Sequence, residues 1–357
     1  MFTCSGHNLV KGLLKTLALV FATRVCGGVP APVATGALCG INGHPFSQSG
    51  YFDVSLEDQV RLVSASGATW YRVDLNTGNF MANTARLDEL LKISERYGVQ
   101  LLPVLIAAPG ARGNEGTPAQ IRSSAQHFAR SVVDRYKGRI SHWELSNELD
   151  DYALIRKGDV TRAGKRWDWG DPDGSHPDDF EELRYQRAKA EIIGLGDGVR
   201  AADPSARTIV DTAGWLHYGF IERLTVEDHV PFDILSWHWY SEMGDMTRVQ
   251  GSLDLVKYLQ RFGKPLWLTE VGRRGGSAGG GDLELADYMN HDLAKLAANP
   301  GVGALFVYEL LDEPYFGEGG ESHYGLVALG RGPSGNWVVT GRKPAFGAFA
   351  SVSRPKP

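Results

Sequence analysis

Leu101-Leu102-Pro103-Val104-Leu105-Ile106 is an unbroken apolar run. A strand with one face in water alternates apolar and polar residues, so a run without alternation reads as a strand covered on both faces, as in a parallel sheet walled by helices. Pro103 is awkward inside such a strand, because it offers no N–H to a ladder. Amphipathic segments lie on either side. In the first, at 84–97, Leu87, Leu90, Leu91 and Ile93 fall near helical spacing and Gly98 supplies a stop; the second spans 118–136. The alternation extends from residue 37 to the C-terminus. Expected strands fall at 38–42, 69–73, 100–106, 140–145, 208–211, 233–237, 266–270 and 304–310, and further helical patterns at 56–64, 181–201, 218–224, 252–261, 283–296 and 344–352. Eight βα units predict a closed (β/α)8 barrel forming a single α/β domain over 37–357, with an open doubly wound sheet as the alternative.

The chain of 357 residues, 43% apolar and 22% charged, is long enough and apolar enough to fill such a core. Its formal charge of -5, without a long run of basic residues, argues against nucleic acid as a partner. Residues 1–36 differ from the rest. Met1 to Thr35 holds no Asp or Glu, Lys11 and Lys15 precede an apolar stretch from Leu17 to Ala22, and small residues follow from Gly27. This segment reads as a secretory signal peptide or a disordered leader, which places the expected mature chain outside the cytoplasm, secreted or periplasmic. No run of 18 apolar residues is present to span a membrane in the mature chain. Two of the three cysteines, Cys4 and Cys26, fall in the leader, leaving Cys39, so neither a disulfide framework nor a Cys/His metal cluster is expected.

A barrel of this kind carries its chemistry at the C-terminal ends of the strands and in the loops that follow. Glu148 closes Trp143-Glu144-Leu145-Ser146-Asn147-Glu148, and Glu270 closes Leu266-Trp267-Leu268-Thr269-Glu270. Carboxylates leaving buried strands are desolvated from below and open to the barrel mouth above, a setting that can shift their pKa. Strands four and seven stand on opposite sides of an eight-stranded barrel. Two such groups suit glycoside hydrolysis, one protonating the leaving oxygen and one attacking or stabilising the anomeric carbon. Arg72, in Trp70-Tyr71-Arg72-Val73-Asp74, is placed to hold a carboxylate by charge-assisted bonds. His238 and Tyr240, in Trp237-His238-Trp239-Tyr240, are placed on one side of strand six to orient Glu270 and bind a hydroxyl. Asn42, His44 and Glu309 are further candidates at strand ends, while Asp211 and Asp312 read as structural. The loop after strand four, 149–179, is too long for a mere connection. The Gly-rich stretch Gly275 to Gly281 reads as a flexible tether.

Arginine after strand two, Asn-Glu after strand four, His-x-Tyr after strand six and Glu at the end of strand seven together resemble clan A of the glycoside hydrolases. Within it the chain is most similar to family 39, through Gly40-Ile41-Asn42-Gly43-His44, the phrase 143–148, Tyr324-Gly325-Leu326 and Lys343-Pro344-Ala345; the family 5 endoglucanase group comes second. The resemblance implies that Glu148 is the acid/base, Glu270 the nucleophile and Asn147 the partner of the sugar 2-hydroxyl, with Arg72, His238 and Tyr240 in support. Where clan members often place a Trp near the end of strand eight, this chain has Phe306-Val307-Tyr308-Glu309, so Tyr308 is expected to serve as sugar platform. The extra β-sandwich of family 39 xylosidases has no room here.

Aromatic rings grip the apolar faces of sugars. Trp143, Trp167, Trp169, Trp215, Trp237, Trp239 and Tyr315 sit where βα loops are expected, with Trp215 and Trp239 the preferred contacts. The expected activity is retaining hydrolysis of O-glycosidic bonds, endo-acting on a β-linked polysaccharide or oligosaccharide, by a monomer that needs no metal or other cofactor. A transglycosylase on the same scaffold and a catalytically silent carbohydrate-binding barrel are the alternatives.

Overall fold

The computed structural model describes residues 37–354, apart from 114, 280 and 318–320; the expected leader, 1–36, lies outside the described residues. Strands β1 (Leu38–Gly43), β2 (Trp70–Asn76), β3 (Gln100–Ile106), β4 (His142–Leu145), β5 (Arg207–Val210), β6 (Ile234–Tyr240), β7 (Leu266–Gly272) and β8 (Ala304–Val307) pair in parallel and in sequence, and β8 pairs back to β1. The barrel is therefore closed, and the open-sheet alternative is excluded. Around it run α1 (Ser49–Asp53), α2 (Leu56–Ala65), α3 (Thr77–Tyr97), α4 (Pro118–Tyr136), α5 (Leu149–Ala153), α6 (Glu182–Ala202), α7 (Tyr218–Glu222), α8 (Leu255–Leu259), α9 (Asp282–Tyr288), α10 (Ala294–Ala297) and α11 (Pro344–Ser353).

Local chemistry explains the helix starts. Asn76 and Asn79 cap α3 reciprocally, and Thr117 and Gln120 do the same for α4, with Pro118 in the first helical turn. Helix α3 begins earlier than the periodicity predicts because a first turn from Thr77 joins it across a kink at Asn83. Pro103 is tolerated in β3: the β3–β4 register begins only at Val104↔Glu144, so no bond to β4 is required of its nitrogen. A hairpin of β9 (Val327–Arg331) and β10 (Trp337–Arg342) was not expected from the sequence. Its glycines blur the strand pattern, although Gly332-Pro333-Ser334-Gly335 between the two arms is a turn signal.

Side chains alternating inward along the strands fill the barrel in layers. At the bottom Trp70, Leu102, Ile209, Ile234, Trp267, Ala304 and Phe306 form an apolar plug, with Trp70 edge-on to both Trp267 and Phe306. Gly40 makes room for it, since a Cβ there would stand 2.2 Å from the Phe306 ring. Two residues further along, the same inward rows turn polar: Asn42, Arg72, Glu144, Asp211, Ser236 and Thr269 are all buried. Above them the rows reach the barrel mouth.

One irregularity sets the top of the barrel. Ser236 pairs with Trp267 but His238 pairs with Glu270, so β7 carries an extra residue opposite β6, and the same slip recurs against β8. Such a bulge re-aims a side chain. It lets Thr269 and Glu270, neighbours in sequence, both reach the interior network. The Asn42 amide donates to the Thr269 carbonyl at 3.0 Å, tying β1 to the bulge.

Outside the barrel, α4 and α6 approach closely through small residues. A Cβ at Gly194 or Gly198 would stand 2.3 or 2.5 Å from the Arg122 or Gln126 carbonyl oxygen. The close fit seats Glu191 of α6 beneath the β3 loop, where it accepts from the Ala107 and Ala111 N–H groups. Gly194→Val is expected to lower stability by about 1–3 kcal/mol through overpacking, read from urea unfolding, whereas Gly347→Ala, which meets open space on α11, leaves the midpoint unchanged or raised.

Candidate active site

Arg72 stands at the centre of the barrel, 2% exposed. Its Nε donates to Glu144 Oε2 at 2.7 Å and its Nη2 to Glu144 Oε1 at 3.2 Å and Asn147 Oδ1 at 2.8 Å. Its Nη1 donates to Asn42 Oδ1 at 2.8 Å and Glu270 Oε1 at 2.7 Å. All five guanidinium N–H groups are thus engaged, by residues of β1, β4, β7 and the β4 loop. The other Glu270 oxygen, Oε2, accepts from the Tyr240 hydroxyl at 2.8 Å. Burial and the Glu270 charge push the Tyr240 phenol well above its ordinary pKa, so it remains a donor.

Glu148 arrives by a different route. It sits in the left-handed region, φ 48° and ψ 44°, and Ser146 two residues earlier has φ 71°. For residues other than glycine each such conformation costs about 1–3 kcal/mol and persists only where its surroundings fix it. Here the segment is pinned on every side. Ser146 N–H donates to the Leu105 carbonyl and Glu148 N–H to Asp211 Oδ1, while Arg112 donates to the Glu148 carbonyl and Arg72 to Asn147.

The Glu148 carboxylate meets His238 Nδ1 at 2.8 Å, and one oxygen each of Glu148 and Glu270, with a His238 ring nitrogen, lie within 4.8 Å of one another. Burial by itself would lower the His238 pKa, but Glu270, Glu148 and Asp211 outweigh it and push it up to about 9. Burial would raise the Glu148 carboxyl, but the bond to His238 and its charge, with Arg112 and Arg72 behind, hold it below its ordinary value. The proton of this pair therefore rests on the imidazole. On the far side of the ring, Nε2 lies 3.2 Å from Thr269 Oγ1 and 3.3 Å from Asp211 Oδ2. Burial and the nearby Glu144 raise Asp211 well above the carboxylate range.

The structure brings Glu148, Glu270, Arg72, Asn147, His238 and Tyr240 to one point. Tyr308 and His44 adjoin it: the Tyr308 hydroxyl is 3.1 Å from His44 Nε2, and its ring stands edge-on to Tyr240 at 6.4 Å. Trp215, 48% exposed, and Trp239 line a neighbouring cavity of about 460 Å³ bounded by the loops after β4, β5 and β6. Trp239 is a wall of it, nearly buried, with its indole N–H bound to the Gly244 carbonyl.

Four expectations are corrected. Trp143 and Trp237 are fully buried between barrel and helices, because their strand positions face outward, and neither reaches the mouth. His238 binds Glu148 directly and stands 3.6 Å from Glu270, so orienting Glu270 falls to Tyr240 and Arg72. Asp211 belongs to the site, whereas Asp312 is tied to Lys343 at 2.6 Å and to the Gly325 N–H. Glu309, at 0% exposure and bound by Tyr51, lies behind Tyr308. Sequence reasoning missed Glu144, Thr269 and Arg112. A charged residue in mid-strand at Glu144 was the available signal, since only an interior ion pair makes that position tolerable.

Residues 188–318 match the family model described as glycosyl hydrolase catalytic core. No curated protein matches the chain. Solved structures resemble it over nearly its whole length. The virulence factor SghA with its substrate analogue salicin superposes with a TM-score of 0.67 at 13% identity, covering 91% of this chain and 97% of that one. SghA from Agrobacterium tumefaciens gives 0.63 at 13%, covering 90% and 98%. A β-glucosidase from Thermotoga maritima in complex with azafagomine gives 0.61 at 12%, covering 89% and 97%. At such identities the likeness establishes the shared barrel.

The imidazoles give a pH test. His44 is also raised, to about 10, because Asp74 and Glu309 outweigh the lowering effect of burial. A folded pKa above the unfolded 6.5 adds stability that is complete below 6.5 and is lost as pH rises through about 9 for His238 and about 10 for His44. The melting temperature is therefore expected to fall across this interval, and His238→Asn to remove the lower part of the fall.

Proposed function

We propose that the chain is a retaining glycoside hydrolase acting on O-glycosidic bonds of β-linked sugars. The observation that carries this reading is the approach of Glu148 and Glu270 from opposite sides of the barrel to within 4.8 Å, oxygen to oxygen. Retaining enzymes hold their two carboxyl groups about 5–5.5 Å apart, and inverting ones leave room for a water. The partial match to a glycosyl hydrolase core and the resemblance to β-glucosidase structures support the same class.

In this mechanism Glu270 attacks the anomeric carbon with an oxygen aligned by Arg72 and Tyr240, forming a glycosyl-enzyme ester as the C–O bond to the leaving group breaks. The leaving oxygen takes its proton from Glu148. In the free protein that proton rests on His238. Substrate covering the mouth removes water, and in a drier setting the neutral imidazole–carboxylic acid pair is favoured over the ion pair, so the proton shifts to Glu148. Glu148, ionised after delivery, then takes a proton from water as the ester is hydrolysed. Asn147, with Oδ1 engaged by Arg72, keeps its amide N–H groups for a sugar 2-hydroxyl.

The substrate reading is endo-action on an external polysaccharide, by an exported protein of the family 39 type. The cavity walled by Trp215 and Trp239 lies on the Glu148 side, where the leaving portion of a chain would sit. The leader composition supports export, and among the described residues no helix is long and apolar enough to cross a membrane.

Glu270→Gln is expected to abolish turnover of every substrate. Glu148→Gln is expected to cost about 10²–10⁴ in rate where the leaving group needs a proton, and far less in forming the glycosyl-enzyme from aryl glycosides with acidic leaving groups. Full activity of Glu270→Gln would overturn the mechanism, and equal losses of Glu148→Gln on both substrate types would overturn the assignment of roles. On polymers, early release of mixed oligosaccharides is expected; release of single sugars alone would overturn endo-action.

A further inference from the structure

A second cluster of ionisable groups lies beside the catalytic one, where the end of β1 meets the segment after β8. One donor atom from each of His44, Glu309 and Glu313 lies within 4.8 Å of the others. Both glutamates are completely buried; Glu309 Oε1 has no hydrogen-bond partner, and Glu313, whose Oε2 meets no hydroxyl or N–H, faces the carboxyl of Glu321. Their other oxygens accept from the hydroxyls of Tyr51 at 2.7 Å and Tyr315 at 2.9 Å. A buried carboxylate oxygen left unpaired is costly, and two carboxylates beside one another repel as well.

The two clusters differ in how charge is balanced. In the catalytic cluster Arg72 and His238 stand among the carboxyl groups. Around Glu309 and Glu313, among the described residues, no Lys or Arg lies within ion-pair distance, and His44 is the one cationic group at hand, at 3.5 Å from Glu309. That imidazole is already bound to Asp74, its Nδ1 lying 2.5 Å from Asp74 Oδ2.

We infer that His44, Glu309 and Glu313 form a binding site for a divalent transition-metal ion such as Zn2+ or Mn2+. A His whose other nitrogen is fixed by a carboxylate is the recurring form of a metal-binding imidazole, and Asp74 supplies that carboxylate. The donor set of one imidazole and two carboxylates suits these ions better than Ca2+ or Mg2+, which prefer oxygen alone. Donors around a Zn2+ ion stand about 3–3.5 Å apart, so the three groups need only a small contraction, with His44 Nε2 exchanging its contact with the Tyr308 hydroxyl for the ion. The ion would clasp the end of β1 to the β8 segment behind Tyr308, apart from Glu148 and Glu270. Its role is structural, and the inference is independent of the proposed glycosidase activity.

The full chain, dialysed against EDTA and then against metal-free buffer, is titrated calorimetrically with Zn2+ alone and Mn2+ alone, with Ca2+ and Mg2+ for comparison, and its melting temperature is followed in parallel. One Zn2+ or Mn2+ per chain and a raised melting temperature are expected, with Ca2+ and Mg2+ weaker. Glu313→Gln and His44→Gln are each expected to weaken binding about tenfold or more, while Glu148→Gln leaves it intact. Absence of Zn2+ and Mn2+ binding overturns the inference. So does binding that both Glu313→Gln and His44→Gln leave unchanged, which marks an adventitious ion only, or binding lost in Glu148→Gln, which places the ion among the catalytic carboxyls. Because no sugar is present in the titration, its failure and the failure of the hydrolase reading are separate results.

Discussion

A guanidinium taken out of water inside a barrel is tolerable only when every N–H finds an acceptor, and Arg72 meets that condition with five bonds to four residues. Desolvating such a charge costs several kcal/mol, so the network is weak evidence for stability; its value lies in position. Arg72 fixes a Glu270 oxygen, holds Asn147 next to Glu148, and is itself held by Glu144 and Asn42. Removing one partner would leave an uncompensated buried charge, a loss typically of about 3–5 kcal/mol. The two candidate catalytic carboxyls, which lie on different strands, are thereby referenced to one rigid group.

The protein supports this arrangement with local strain and irregular pairing. Ser146 and Glu148 adopt left-handed backbone conformations, and β7 slips by one residue against both neighbours. Each departure from regular geometry is tied down by a hydrogen bond from elsewhere in the barrel mouth, including those from Glu148 N–H to Asp211 and from Asn42 to the Thr269 carbonyl. Regular strands would bring only alternate residues to the interior. The irregularities bring side chains to places that a period of two cannot reach.

Protonation is distributed with the same economy. The His238 imidazole rather than Glu148 holds the proton they share, Asp211 is driven toward its neutral form, and Tyr240 stays a donor to Glu270. Across the Tyr308–His44 contact the balance changes, since among the described residues no Lys or Arg lies within ion-pair distance of Glu309 or Glu313 and His44 is the one cationic group beside them. Two neighbouring acidic groups of similar burial thus occupy different electrostatic settings, the first with a guanidinium and an imidazole among its carboxyls and the second with a single imidazole.

The eight apolar runs and the helical patterns between them were legible in the sequence because hydrophobic periodicity is local, and with them the barrel, its mouth and the strand ends where Arg72, Glu148, His238, Tyr240 and Glu270 stand. Trp143 and Trp237 were misplaced because a Trp near a strand end reads the same whether its side chain faces outward into the helix layer or upward toward a ligand. Thr269 entered the network through a register slip, and the partner of His238 was decided by the stagger of β4, β6 and β7. The Glu309–Glu313 pairing with His44 joins opposite ends of the barrel domain. Such encounters depend on closure of β8 against β1, a constraint of the whole molecule that no local pattern encodes.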